Sequence, residues 1–293
     1  MNIPYKFRFL NWLKENEVAL VVDSEGKKLV LKECRFAKTL SAVSLNAKTY
    51  TKTLKKILPE FNEVEGFLTR SYVQGAVSGD TDKAFGFTSE ALTKIRPEVL
   101  AESLYELNFF VNADFIKNGN LETRDASWYL NNLEQVKEAV NYHVQGGFYE
   151  SLLSYIQNNF RQVNKNTNYL INGDLHPQNF FYNCLYAGEA RDFMISDWDL
   201  LHINNPGFDL AVLSVWSWRD LNWFNTFSTK FMAYYQDKNA DLALCLSFCQ
   251  AYLAAQMIRH TTIIDENNLT EEEKANRDGL KKFSVALLKK VVR

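Results

Sequence analysis

Glycine and proline are scarce, 12 and 5 among 293 residues, which excludes collagen-like, linker-rich and low-complexity architectures. An excess of one charge is missing too. The 33 basic residues face 35 acidic ones, so neither a uniformly basic nucleic-acid binder nor an acidic solvating tail fits. Cysteine is limited to Cys34, Cys184, Cys245 and Cys249, with no CxxC pair and no Cys/His cluster at zinc spacing. Cys245 and Cys249 stand one helical turn apart in an apolar stretch and read as buried thiols. The N-terminal MNIPYKFRFLNWLKENE has no apolar core of a signal peptide. The longest uncharged run, Leu242 to Ile258, contains Ser247, Gln250 and Gln256 and reads as a buried helix rather than a membrane span. The expectation is a cytoplasmic protein with no membrane or nucleic-acid partner. No pattern in the sequence fixes an oligomeric state.

What is present is apolar and aromatic: 46% hydrophobic and 14% aromatic residues, enough for a large core with rings left over for a ligand pocket. The length suits one large or two medium units. Val18–Val22 and Leu29–Leu31 are β-prone runs joined by Asp23-Ser-Glu-Gly26, the composition of a hairpin turn. Apolar spacing predicts a helix over Leu40–Leu58, stopped by Pro59, and Gly66–Val73 reads as a further strand. Residues 1–75 therefore read as a small α+β unit. Residues 76–293 read as a mainly helical lobe, with a hinge near Tyr72–Gly75. Its helices are expected at Val99–Phe110, Ser127–Val144, Phe148–Val163, Asp209–Trp218, Phe224–Gln236 and Leu242–Ile263. Residues 169–198 break that pattern, with short strands around polar, acidic loops.

One of these loops, Asn172-Gly-Asp-Leu-His-Pro-Gln-Asn179, sets an aspartate and an asparagine five positions apart, the spacing of a kinase catalytic loop. Phosphoryl transfer needs an aligned nucleophile and cations that neutralise charge on the transferring group. Asp174 suits the first task. Eighteen residues beyond Asn179, Asp197 follows the apolar run Phe193–Ile195. Asn179 and Asp197 together offer magnesium the few protein oxygens it takes. Asp199, two residues on, shares Asp197's face if the chain is extended, where it meets a second metal or caps the next turn.

Asn172–Asn179, Ser196–Asp199 and Asn205-Pro-Gly-Phe-Asp-Leu-Ala211 resemble three consecutive signatures of the aminoglycoside phosphotransferase and choline kinase superfamily. Their usual forms are His-Gly-Asp-x-His-x-x-Asn, then Asp-Trp or Asp-Phe with an acidic residue following, then Pro-x-x-Asp-Leu-Ala. The resemblance implies an α+β, two-lobed protein-kinase-like fold with a small antiparallel-sheet N-lobe and a large helical C-lobe. It implies a kinase that moves the γ-phosphate of ATP, or GTP, to a hydroxyl of a small metabolite, sugar, amino alcohol or aminoglycoside-like acceptor. Asp174 takes the catalytic role, Asn179 and Asp197 the Mg2+, and Lys32 of Leu29-Val-Leu-Lys32 the nucleotide phosphates, ahead of Lys27 and Lys28. His176 is expected to brace the loop rather than bind metal. Asp209 is expected to cap a helix or steady the loop by hydrogen bonding.

Two features of that superfamily are missing. No glycine precedes Gly26, so the phosphate loop expected at Leu13–Val18 lacks backbone freedom. The helix after Lys32 has no glutamate to pair with the lysine; Asn46 stands near that place, and Glu60, Glu63 or Glu65 are the substitutes from beyond it. A catalytically inactive binding or scaffold protein is therefore the competing expectation. The charge also divides: residues 1–75 hold 13 basic and 8 acidic side chains, and residues 76–293 hold 20 and 27. That polarity suits a triphosphate gripped from one side and metal held on the other. For the acceptor, Trp216, Trp218, Trp223, Phe224, Phe227, Tyr234 and Tyr235 form an aromatic stretch that is mostly core by default, with rings suited to a sugar or an ammonium group.

Overall fold

Alternating apolar residues in the first third build a sheet, and each strand's partner follows from its register. The computed structural model describes residues 1, 3–14, 17–77, 92–110, 121–238 and 241–292. The N-lobe carries β1 (Arg8–Lys14), β2 (Val18–Val22), β3 (Lys28–Glu33), α1 (Ala37–Tyr50), α2 (Leu54–Ile57), β4 (Asn62–Val64) and β5 (Phe67–Ser71). Its strands form an antiparallel sheet in the order β1-β2-β3-β5-β4. The expected hairpin is β2–β3, with Asp23 Oδ1 accepting the backbone N–H of Glu25 and Lys27 across the turn.

Strand β1 was not foreseen. Its pairing with β2 shifts register between Phe9 and Asn11 and again between Trp12 and Lys14, so no two-residue alternation survives in the sequence. The phosphate loop expected at Leu13–Val18 begins at the end of this strand; its tip, Glu15 and Asn16, lies outside the described residues. The single helix expected over Leu40–Leu58 is two helices. Thr51 is extended, and its hydroxyl accepts the N–H of Lys55 at 3.1 Å. Glu106 of the other lobe then accepts the backbone N–H groups of Lys52, Thr53 and Leu54 at 2.7–3.0 Å, capping α2 from outside.

The Gly66–Val73 stretch also divides. It ends β5 at Ser71, passes through Tyr72, and continues as β6 (Val73–Val77), which pairs with the C-lobe instead. The C-lobe follows with α3 (Pro97–Phe109), α4 (Ala126–Leu133), α5 (Lys137–Val144), α6 (Phe148–Asn164), β7 (Tyr169–Ile171), β8 (Phe180–Tyr186), β9 (Glu189–Ile195), β10 (His202–Asn204), α7 (Gly207–Trp216), α8 (Leu221–Ala233), α9 (Leu242–Ile263) and α10 (Glu271–Val291). β6, β8 and β9 make a three-stranded sheet, and β7 pairs with β10. The expected Ser127–Val144 helix is interrupted by a 3-10 turn at Glu134–Val136.

α10 was missed, although its signal is in the sequence. Thr270 and Glu273 form a capping box in which each side chain meets the other's backbone N–H. α9 is long and apolar enough to cross a membrane, but it packs against α7 and α10 with ten residues buried, among them Cys245 and Cys249. One apolar core runs through both lobes, from Leu40 and Leu54 through Leu68 and Leu104 to Phe180, Leu210 and Phe248. Through Leu68 that core ties β5, and with it the paired β3, to the helical lobe. The two-lobed, protein-kinase-like α+β class implied by the motifs is the architecture observed.

Candidate active site

The 172–179 loop leaves β7 at Ile171 and turns at Gly173, whose φ is +83°. A Cβ there would lie 2.6 Å from His202 Cε1 and 2.9 Å from the Leu200 carbonyl oxygen, so only glycine fits. His202 is itself fixed. Its Nδ1 donates to the Leu200 carbonyl at 2.7 Å, which leaves Nε2 to accept from Asn204 Nδ2 at 3.1 Å. Burial, joined by the Arg124 charge, pulls the His202 pKa down to about 3, so the ring is neutral.

Asp209, on the first turn of α7 and 1% exposed, holds the start of the loop. Oδ2 accepts the Asn172 N–H at 3.0 Å and Oδ1 the Gly173 N–H at 2.8 Å. Burial lifts its carboxyl to about 7, against the pull of those two donors. Asn172, fully buried, was not singled out in the sequence. Its Oδ1 accepts the Asp174 N–H at 2.9 Å, and its Nδ2 donates to the Asp197 carbonyl at 3.3 Å. One amide thereby ties the loop of Asp174 to the loop of Asp197. Asn172 stands first in the loop motif, which is the signal that marked it.

Asn179 closes the loop. Its Nδ2 donates to the Asp174 carbonyl at 2.8 Å and to Asp174 Oδ2 at 3.0 Å, and its own carbonyl accepts the Ser196 N–H at 2.8 Å. The amide nitrogen being engaged, Asn179 Oδ1 is the atom available to a hard cation. His176 Nε2 lies 3.6 Å from Asp174 Oδ2, and its ring meets Trp216 edge-on at 6.3 Å. Burial, then the Asp197 charge, raise the Asp174 carboxyl above its ordinary value; His176, Asn179 and Lys32 oppose them.

Lys32 reaches the same place from β3. Its ammonium forms a close ion pair with Asp199 and lies 3.5 Å from Asp197 Oδ2. Burial alone would lower its pKa; the Asp199 hydrogen bond and the charges of Asp197 and Asp199 outweigh it and raise the group. Asp197 and Asp199 are joined by the Asp199 N–H donating to Asp197 Oδ1 at 3.1 Å. Burial raises the Asp199 carboxyl despite Lys32.

The substitutes for the missing helix glutamate go elsewhere. Asn46 Nδ2 donates back to the Ala42 carbonyl at 2.9 Å. Glu60 pairs with Lys48 at 2.9 Å, Glu63 accepts the Gly66 N–H at 2.7 Å, and Glu65 sits in that turn with φ +54°. Lys27 and Lys28 line a separate hollow with Tyr72, Gln74 and Leu185. Among the described residues no group of three or more His, Cys, Asp and Glu side chains forms a metal cage. The donor set is instead one carboxylate and one amide oxygen, the chemistry of a magnesium that takes its other ligands from phosphates and water.

The cleft above this cluster has a volume of about 100 Å3, with apolar walls from Val18, Val30, Phe61, Leu68 and Trp198 and polar ends from Lys32, Arg70, Ser196, Asp197 and Asp199. Of the aromatic stretch, Trp223, Phe227 and Tyr235 are buried core, whereas Trp216 borders the 172–179 loop through His176.

No family model matches the sequence, and no curated protein matches it by sequence. Solved structures do match in fold. A macrolide 2'-phosphotransferase, MphH from Brachybacterium faecium, superposes with a TM-score of 0.54 at 13% identity, covering 95% of this chain and 91% of that one. An aminoglycoside 2'-phosphotransferase-IIIa in complex with GDP superposes with a TM-score of 0.51 at 17% identity, covering 98% and 94%. The likeness carried by three short motifs thus extends to the fold of nearly the whole chain.

Proposed function

We propose that this chain is a small-molecule kinase that transfers the γ-phosphate of ATP or GTP to a hydroxyl acceptor. The observation that carries the reading is that Lys32 of the N-lobe meets Asp197 and Asp199 in one cleft, while Asn172 ties the loop of Asp197 to the loop on which Asn179 bonds Asp174. The lobes divide at Tyr72, with the residues before it gripping nucleotide and those from β6 onward supplying the chemistry. Asp174 orients the acceptor hydroxyl and takes its proton. Asn179 holds Oδ2, leaving Oδ1 to the hydroxyl, and the raised pKa makes the carboxylate a better proton acceptor. Asn179 Oδ1 and Asp197 would hold magnesium, whose charge would offset that of the phosphates. Lys32 binds phosphate oxygens, exchanging part of its ion pair with Asp199 for them. His176 braces Asp174, Asp199 steers Lys32, and Asp209 fixes the loop's backbone. Its setting is the cytoplasm.

The fold's other members named above act on a macrolide and an aminoglycoside, and only the coarse acceptor class is carried over: a hydroxyl-bearing small molecule. Beyond residue 199 the chain has 10 acidic and 11 basic residues, which gives no acidic excess for a polycationic antibiotic. A sugar or amino alcohol stacking on Trp216 fits at least as well. The competing reading is a non-catalytic, kinase-like binding protein. The double engagement of Lys32 by Asp197 and Asp199 favours it, because the lysine's charge is then met without any phosphate.

A hydroxyl-compound panel run with Mg-ATP and Mg-GTP, read by nucleotide consumption and by melting temperature, separates the two. Acceptor-dependent consumption with a nucleotide-induced rise in melting temperature supports the kinase. No turnover and no thermal shift across the panel support the binding protein.

A further inference from the structure

Among the described residues that line the cleft, Arg70 is the charged one with no part in the phosphoryl-transfer machinery. It pairs with Val30 across β3–β5, and Leu68, two residues before it, pairs with Lys32. The two-residue period therefore sets Lys32, Val30, Leu68 and Arg70 on one face of the sheet, the face that lines the cleft. Lys32 stands at the acidic end, and Arg70 stands one cross-strand pair nearer the passage between lobes at Tyr72. The guanidinium carries five N–H donors and no acceptor. Its hydrogen bond among the described residues is a single one, Nη1 to the Ser71 carbonyl at 3.3 Å. The charged and titratable groups that face it are Asp197, Tyr186 and Tyr72, and burial lowers its pKa without removing the charge.

A partly buried fork of donors beside the apolar walls of Val18, Val30 and Leu68 calls for a flat ring whose edge presents acceptors. Guanine offers two, O6 and N7, in the spacing a guanidinium meets with two bonds. Adenine sets its N6 amino donor where O6 would be, opposing donor to donor. We infer that Arg70 reads the base of the bound nucleotide and makes this cleft selective for a 6-oxopurine, guanine or hypoxanthine, over adenine. The inference rests on the nucleotide-binding reading above and adds the residue that sets its specificity.

The test is calorimetric affinity of the full chain for GTP, ITP and ATP, in wild type, Arg70→Met and Arg70→Gln, with melting curves of each protein alone to verify folding. The expected result is GTP and ITP bound about tenfold or more tighter than ATP by wild type. R70M is expected to lose that preference. R70Q, whose amide both donates and accepts, is expected to shift it toward ATP. Wild type binding ATP as well as GTP overturns the inference and leaves the nucleotide reading standing. An equal loss for all three nucleotides in R70M also overturns it, because Arg70 would then be contacting phosphate. Wild type binding none of the three overturns both readings. If R70M does not fold, the wild-type ratio and R70Q decide the matter.

Discussion

The loop that carries Asp174 and the strand that carries Lys32 are held in different ways. The loop is anchored by the hydrogen bonds of three buried side chains: Asp209 on two backbone N–H groups, Asn172 on Asp174 and on the Asp197 carbonyl, Asn179 back on Asp174. Lys32 is held by ion pairs whose partners keep 34% and 40% of their side-chain exposure. Buried hydrogen bonds fix a geometry before any ligand arrives. Partly exposed ion pairs are screened by salt and exchange partners at little cost. The half proposed to be catalytic is thus preformed, and the half proposed to bind nucleotide adjusts to what enters the cleft. That contrast also bears on the two departures from the superfamily pattern, since both fall in the adjustable half.

The largest effect is expected where the preformed half meets the substrate. Asp174→Asn should lower transfer by about 10²–10⁴-fold, the usual range for removing a positioned acid–base group, as a steady-state rate measurement checks. Next comes the turn beneath it. Gly173→Ala forces a side chain into positive φ and against His202 and the Leu200 carbonyl, and should cost about 2–4 kcal/mol in denaturant melts. A loss under about 0.5 kcal/mol would show that the turn gives way easily and would erase the contrast.

The third effect is a pH slope. The folded-state pKa of Asp209, about 7, lies above its unfolded value, so the folded chain keeps a proton that the unfolded chain has lost. Its contribution is complete below about pH 4 and is lost as pH rises through about 7. Wild type should therefore lose stability between pH 5 and pH 8 relative to Asp209→Asn. Parallel curves for the two proteins would mean that the backbone donors keep Asp209 ionised throughout. The smallest effect is expected in the N-lobe. Asn46→Glu restores a helix carboxylate, yet Asn46 bonds its own helix and Lys32 already has Asp199. Nucleotide affinity should change less than about threefold, within the scatter of exposed ion pairs. A larger gain would show that Lys32 is underpaired.

Much of this site was legible because phosphoryl transfer demands fixed spacings along a short segment: Asp174, Asn179, Asp197 and Asp209 fall within 36 residues. Strand and helix patterns read well where one face is buried, as in β2 and α9. They failed where a distant residue decided the outcome. Glu106 splits the Leu40–Leu58 helix by capping α2 across the lobes, and no local pattern announces a cap 52 residues away. β1 was hidden by its register shifts. The partner of Lys32 was hidden as well, because an ion pair spanning 165 residues appears only when both lobes are in place. Asn172 and α10 were within reach, one by its place in the motif and the other by Thr270 and Glu273.

The division of labour between the two halves is tested most directly by measuring nucleotide affinity and turnover on the same preparations of wild type, Asp174→Asn and Lys32→Met. D174N is expected to bind Mg-nucleotide with wild-type affinity and to turn over at least about a hundredfold more slowly, while K32M binds about tenfold more weakly. D174N turning over at the wild-type rate would contradict the account at its centre.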